Sequence, residues 1–122
     1  PMTPEQYCQD KATRSGTSFY YSFLFLPPPR RRAITALYAF CREVDDVVDA
    51  QLEPAVARAK LAWWREEIDR LFQGDPRHPV TRALAEPIAG FNLPREHFIE
   101  VIDGMEMDLD YDSYPSFREL SL

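Results

Sequence analysis

The sequence predicts an all-α fold of about five to six helices for this chain of 122 residues. Alternation of apolar and polar residues, which is typical of strands, is scarce. Helix formers instead recur with apolar residues three and four positions apart, and proline or turn residues interrupt them where helices begin and end. The length suits one domain, and 45% hydrophobic and 28% charged residues are ordinary for a globular protein.

The first predicted helix begins at Pro4. Thr3 is a suitable N-cap residue, and Gln6 occupies the reciprocal position of a capping box. We expect this helix to end near Ser15. The aromatic and apolar segment Thr17–Leu26 fits either a strand or a short buried helix, and its helical neighbours favour a helix.

Four further helices are predicted from their boundary residues. The prolines at 27–29 end the aromatic segment and start the next helix, Gly74 closes a later one, and Pro87 is expected to bend or end its helix. The predicted ranges are Arg30–Ala50, Ala55–Phe72, Pro79–Phe91 and Pro94–Tyr111. On the last of these, one apolar face is formed by Phe98, Val101, Ile102, Met105 and Leu109.

Composition excludes some classes of partner and location. A net charge of −6 argues against nucleic-acid binding, which depends on a basic surface. Cys8 and Cys41 lack a CxxC spacing, which indicates a reducing compartment without a disulfide scaffold. The longest apolar stretch, Phe19–Leu26, is too short to cross a bilayer and lacks the features of a signal peptide. We therefore expect a cytoplasmic protein, for which an apolar substrate would explain any peripheral membrane contact.

An acidic pair on the third predicted helix is the strongest functional signal. Asp45 and Asp49 are four residues apart, so they lie one above the other on a helix. Tyr38 and Arg42 share their stripe, which is only about 60° wide. An apolar stripe borders it and is expected to be buried: Ile34, Leu37, Cys41, Val44 and Val48.

This arrangement favours a site for a metal and a diphosphate. Two like charges at this spacing repel each other, and partial burial adds several kcal/mol unless a cation offsets it. Mg²⁺ prefers one or two carboxylates together with water and substrate phosphates, and the fork of Arg42 suits a phosphate oxygen. The alternative is a solvated helix flank, which a lone DxxxD pattern fits well. Tyr38 and Arg42 beside the acids favour the metal site.

Other candidate sites have weaker patterns. Four acids match positions 1, 3, 5 and 12 of a calcium-binding loop: Asp108, Asp110, Asp112 and Glu119. Ser113 replaces the glycine that the sharp turn needs and Pro115 follows, so a solvated helix end is the alternative interpretation. His78 and His97 have no second ligand at metal spacing and are predicted to be surface histidines. Trp63 and Trp64 are expected to be packing residues.

Several segments together resemble the squalene/phytoene synthase family. They are SGTSFYYSFLFLP at 15–27, ALYAFCREVDDVVD at 36–49 and GMEMDLD at 104–110. Two more, KLAWWREEIDRLF at 60–72 and HPVTRAL at 78–84, are similar to the bacterial branch of the family that serves hopanoid synthesis. This set spans most of the chain and is far more specific than a lone DxxxD.

The resemblance implies an all-helical isoprenoid-synthase fold around a deep apolar cavity. It implies an enzyme that joins two farnesyl diphosphates head to head and gives presqualene diphosphate. In that reaction a Mg²⁺-bound diphosphate leaves an allylic cation, the second chain's double bond attacks it, and proton loss closes a cyclopropane. The alternatives are a phytoene or squalene synthase, or outside the family a non-catalytic helical module that binds calcium or a partner.

The same resemblance assigns roles to individual residues. Asp45 and Asp49 match the first metal-binding aspartate motif, and Asp46 matches its middle acid, a weaker metal candidate. Catalysis and diphosphate contact are implied for Tyr38 and Arg42. The remaining assignments are diphosphate contact for Ser18 and the cavity wall for Phe19 and Phe23.

One departure from the family limits what this chain is expected to do. The family carries a second aspartate motif on a later helix, and no segment here matches it. We therefore expect residues 1–122 to be the N-terminal portion of a single squalene/phytoene synthase domain, with half a metal site and no activity alone. Apolar faces left uncovered by the missing helices favour self-association or exchange of elements between chains.

Overall fold

Six α-helices form the part of the chain that the computed structural model describes, residues 1–14 and 19–112. They are α1 (Pro4–Arg14), α2 (Phe19–Phe23), α3 (Pro28–Asp49), α4 (Pro54–Phe72), α5 (Pro79–Phe91) and α6 (Arg95–Asp112). No strand occurs in these residues, so the all-α prediction is confirmed. None of the described helices combines the length and the apolar character needed to cross a bilayer.

The helix boundaries follow the predicted capping residues closely. The Thr3 N–H donates to Gln6 Oε1 at 2.9 Å and the Gln6 N–H to Thr3 Oγ1 at 3.1 Å, which is the predicted capping box. Gly74 after α4 and Asn92 after α5 have φ of 88° and 54°, the left-handed conformation that ends many helices. Pro87 lies buried inside α5 and does not end it.

Helix α3 lies at the centre and packs against α1, α4, α5 and α6. The ring of Phe40 contacts Trp64 of α4 at 5.8 Å and Phe98 of α6 at 5.4 Å between centroids, both in edge-on geometry. The predicted apolar face of α6 is confirmed, since Phe98, Ile102 and Leu109 are buried. The largest fully buried apolar side chains are Phe40, Leu61, Ile68, Leu84, Ile102, Val44 and Val80.

The buried face of α3 differs from the predicted one. Of the predicted apolar stripe only Val44 is fully buried, while Leu37 and Val48 are partly exposed and Cys41 is exposed. The buried face instead runs along an alanine-rich row: Ala33, Ala36, Ala39, Phe40, Val44 and Val47. Small side chains let neighbouring helices approach closely, so this row is covered although its residues are individually less apolar than leucine or isoleucine.

A buried carboxylate on α4 connects that helix to the start of α5. Glu67 is fully buried, and no pattern in the sequence predicts this burial. Its oxygens accept bonds from Arg70 Nε (2.7 Å), the Arg77 N–H (2.7 Å), the His78 N–H (2.8 Å) and Thr81 Oγ1 (2.5 Å). Burial alone would raise the pKa of Glu67, but these hydrogen bonds together lower it. The charge is therefore kept inside the fold by its donors.

The prediction for His78 is wrong, whereas His97 is exposed as expected. The His78 ring lies partly buried against Trp64, with centroids 4.8 Å apart, and against Tyr7 of α1 at 5.5 Å. Its Nδ1 accepts the Val80 N–H at 3.0 Å, so His78 caps α5. Burial lowers the pKa of His78. Sequence spacing could not show this, because the covering residues come from other helices.

Candidate active site

The stripe of Tyr38, Arg42, Asp45 and Asp49 lies on the side of α3 away from the buried alanine row. The side chains of Asp45 and Arg42 are 31% and 34% exposed, and Asp49 is exposed. At 3.6 residues per turn the stripe is turned by roughly 180° from the helix core face. The partly exposed residues of the predicted apolar stripe flank it. The prediction that the acids border the buried face of α3 is wrong within the described residues: they lie opposite that face, and the apolar residues that flank them are partly buried or exposed.

The two outer aspartates lie one turn apart on α3 and interact electrostatically. The pKa of Asp45 is raised first by burial and then by the charge of Asp49. No third histidine, cysteine, aspartate or glutamate joins them in a metal-binding group within residues 1–14 and 19–112. Two carboxylates on open surface suit Mg²⁺, which takes its other ligands from water and phosphate, and do not suit a closed all-protein cage.

Arg42 forks between two carboxylates on its own helix. Its Nη1 donates to Asp45 Oδ2 at 2.9 Å and its Nη2 to Asp46 Oδ1 at 3.2 Å. The guanidinium charge lowers the pKa of Asp45, in opposition to burial and to Asp49. The structure thus brings Arg42 directly to the acidic pair, as the shared stripe predicts.

Asp46 is turned toward α1. Its Oδ2 accepts a hydrogen bond from Lys11 Nζ at 2.5 Å, and its Oδ1 accepts one from Arg42 Nη2. Lys11 also lies 3.8 Å from Glu43 Oε1, the oxygen to which the Tyr7 hydroxyl donates at 2.6 Å. A cleft of about 310 Å³ opens beside these groups, lined by Tyr7, Asp10, Lys11, Arg14, Arg42 and Asp46. Sequence reasoning missed Lys11, since only tertiary packing brings it to Asp46.

Aromatic residues of α2 adjoin the same stripe. The ring of Phe23 meets Tyr38 edge-on, with centroids 5.8 Å apart. This contact places one predicted wall residue next to one predicted diphosphate ligand. Ser18 lies outside the described residues, and only the backbone of Phe19 is described.

The structure does not support the alternative calcium loop. Helix α6 continues through Asp112, so Asp108 and Asp110 lie about 200° apart around its axis and do not converge on one ion. Asp110 forms an ion pair with Arg58 of α4. Glu119 lies outside the described residues.

Comparison with known proteins identifies close relatives. The family model described as Squalene/phytoene synthase matches residues 12–122. A presqualene diphosphate synthase of Sinorhizobium fredii is 43% identical over 107 residues, and one of Zymomonas mobilis is 44% identical over 110 residues. A phytoene synthase of Arthrospira platensis is 32% identical over 117 residues. No solved structure matches the chain with comparable significance.

These matches cover most of this chain and a smaller part of each relative. The match to the Sinorhizobium fredii protein includes 87% of this chain and 38% of that relative. The corresponding shares are 86% and 37% for the Zymomonas mobilis protein, and 96% and 38% for the Arthrospira platensis protein. The chain therefore spans less than two-fifths of the curated relatives it matches. The family match extends over nearly all of its residues and agrees with the all-helical architecture. This chain belongs to the squalene/phytoene synthase family.

Proposed function

We propose that this chain is the N-terminal part of a Mg²⁺-dependent prenyl transferase that joins two farnesyl diphosphates head to head to give presqualene diphosphate. The placement of Asp45 and Asp49 one turn apart on α3, with Arg42 bonded to Asp45 at 2.9 Å, is the observation that carries the proposal. Two adjacent carboxylates cost stability unless a cation binds them. The names of relatives more than 40% identical support the choice of product.

Asp45 and Asp49 would hold the metal, and Arg42 would bind the substrate's diphosphate. Bound there, Mg²⁺ would neutralise the diphosphate as it leaves. Arg42 Nη1, now bonded to Asp45, would turn to a phosphate oxygen once the charge of Asp45 is offset. Tyr38, one turn before Arg42 on the stripe, would donate its hydroxyl to the same diphosphate.

The apolar surroundings would protect the reacting carbon chains. Phe23 packs against Tyr38, so an aromatic wall begins next to the diphosphate site. Exclusion of water is needed because an allylic cation reacts readily with it. We propose that Phe19 extends this wall and that Ser18 adds a diphosphate contact. The partly exposed apolar residues of α3, such as Leu37 and Val48, would face the same cavity once later helices cover them.

Activity of the full-length protein that contains this chain tests the proposal. We expect it to convert farnesyl diphosphate to presqualene diphosphate only with Mg²⁺, and we expect residues 1–122 alone to be inactive. Asp45→Ala and Asp49→Ala should each lower turnover by about 10²-fold or more. Glu86→Ala, which removes a carboxylate that is 79% exposed on α5, is the control and should retain activity. Wild-type turnover in both aspartate variants would contradict the metal assignment.

A phytoene synthase is the second candidate, because such enzymes are 32–33% identical to this chain over 113–117 residues. The carboxylate pair and Arg42 would serve that reaction equally well. Product analysis with farnesyl diphosphate and with a longer prenyl diphosphate separates the two. Preferential use of the longer substrate would assign the phytoene branch.

A further inference from the structure

Charged groups form a continuous row from α1 to the acidic pair of α3. Lys11 Nζ binds one oxygen of Asp46, Arg42 Nη2 binds the other oxygen, and Arg42 Nη1 binds Asp45. Asp49 follows Asp45 one turn later on the same helix. Each oxygen of Asp46 therefore has a cationic partner, and the carboxylate joins a residue of α1 to the guanidinium beside the candidate metal site.

We propose that Asp46, held by Lys11, is a positioning residue that orients Arg42 toward the diphosphate and does not bind the metal. This inference rests on the proposed function. Asp46 lies about 100° around the helix from Asp45, on the side facing α1, so it does not share the stripe of the acidic pair. Its oxygens are already bonded to Lys11 and Arg42 at 2.5 Å and 3.2 Å, whereas a metal ligand needs an oxygen directed at the ion.

Lys11 gives this arrangement its rigidity. The ammonium lies between Asp46 and Glu43, and the hydroxyl of Tyr7 holds Glu43 in place. Both Tyr7 and Lys11 belong to α1, so the packing of α1 on α3 fixes where Asp46 points. Lys11 also offsets the charge of Asp46, which would otherwise compete with a diphosphate for the guanidinium.

The physical gain comes from holding one end of the guanidinium. Arg42 is a long side chain that loses rotamer freedom when it binds an anion, and its planar fork must meet the phosphate oxygens in one orientation. While Nη2 stays bonded to Asp46, only Nη1 has to exchange Asp45 for a phosphate oxygen. The bond to Asp46 therefore lowers the ordering cost of diphosphate binding, in the way that outer partners orient metal ligands.

Separate binding measurements on the full-length protein test the proposal. One titration uses Mn²⁺ alone as a paramagnetic probe of the metal site, and the other uses inorganic diphosphate at saturating Mg²⁺. Asp46→Asn and Lys11→Met should each weaken diphosphate binding by about tenfold and leave Mn²⁺ affinity within about twofold of wild type. Lys11→Arg should restore most of the diphosphate affinity, and the double variant should lose little more than either single variant, because both act on Arg42.

Asp10→Asn is the matched control. Asp10 lines the same cleft but pairs with Arg14, and it has no bond to Lys11, Asp46 or Arg42 among those described. Its replacement should therefore leave diphosphate affinity unchanged. Thermal melting of each variant verifies that it folds, and a Lys11→Met that fails to fold leaves Asp46→Asn as the deciding variant.

Two results would overturn the positioning role. Loss of Mn²⁺ binding in Asp46→Asn would make Asp46 a metal ligand, and unchanged diphosphate affinity would make its ion pairs merely structural. Failure of the proposed function is recognised separately. In that case the wild-type protein would not bind diphosphate with Mg²⁺, or Asp45→Asn and Asp49→Asn would bind Mn²⁺ normally.

Discussion

The replacement of Asp49 by asparagine should make the protein more stable while it removes one ligand of the proposed metal site. Asp49 is the last residue of α3, and no basic residue lies in the last turn of that helix. The residue therefore sits at the negative end of the helix dipole and one turn from Asp45, whose pKa it raises. Asn keeps the shape of the side chain and removes both unfavourable interactions.

The free-energy costs of the two unfavourable interactions of Asp49 can be added. A like-charge pair at this spacing costs about 0.2–0.5 kcal/mol on an exposed helix. An anion at a helix C-terminus costs about 0.3–1 kcal/mol. Asp49→Asn should therefore raise the free energy of unfolding by about 0.5–1.5 kcal/mol, which corresponds to roughly 2–6 °C in melting temperature for a domain of this size. High salt should shrink the gain, because it screens both interactions.

Thermal unfolding at pH 7 and low salt measures this gain. Any loss of one negative charge lowers the overall repulsion in a chain with a net charge of −6. Glu96→Gln separates this general effect from the repulsion between Asp45 and Asp49. Glu96 is an exposed acid in the first turn of α6, where the helix dipole favours an anion, so the same charge change should lower stability there. In the full-length protein, addition of Mg²⁺ with inorganic diphosphate should raise the melting temperature of the wild type and not that of Asp49→Asn, since only a bound ligand shifts the equilibrium.

Two outcomes would refute this reasoning. If Asp49→Asn melts at or below the wild-type temperature at low salt, the carboxyl pair is not under electrostatic strain. If Glu96→Gln is stabilised as much as Asp49→Asn, the gain reflects overall charge and not the site.

Further predictions concern the buried carboxylate and the guanidinium. Glu67→Gln should cost about 3 kcal/mol in urea unfolding, because an amide cannot accept from all the buried donors around it; a loss below about 1 kcal/mol would contradict the role of that cluster. The pKa of Glu67 is lowered in the folded state, so the stability it contributes is complete above the ordinary carboxyl pKa and is lost as pH falls through the lowered pKa. The free energy of unfolding, followed from pH 6 to pH 3, should therefore decline less steeply in Glu67→Gln than in the wild type. Parallel declines in the two proteins would contradict this contribution of Glu67. Arg42→Ala should weaken diphosphate binding by roughly 10–100-fold in calorimetry, as expected for the loss of a charge-assisted hydrogen bond, and unchanged affinity would remove Arg42 from the site.

Local signals in the sequence were sufficient for the helices but not for their packing. The capping box of Thr3 and Gln6, and the left-handed end at Gly74, depend on residues within one turn, so their outcome could be predicted. The buried face of α3 could not, because hydrophobicity favours the row with Leu37 whereas close helix approach selects the alanines.

The candidate site shows the same division. The sequence predicts that Arg42, Asp45 and Asp49 share one stripe, because this follows from their spacing on one helix. The bonds from Arg42 to Asp45 and Asp46 are not predicted, since the sequence analysis assigns its guanidinium to a phosphate oxygen. The bond from Lys11 to Asp46 joins residues 35 positions apart, and that from Thr81 to Glu67 joins residues 14 apart. No periodicity indicates such pairs, since they depend on how α1 meets α3 and how α4 meets α5.

A crystal structure of the full-length protein with Mg²⁺ and inorganic diphosphate tests the central claim most directly. We expect a magnesium ion bonded to one carboxylate oxygen of Asp45 and one of Asp49, each at about 2.0–2.1 Å, with diphosphate oxygens completing its shell beside Arg42. A magnesium–diphosphate complex bound elsewhere, with both carboxylates in contact only with solvent, would contradict the account.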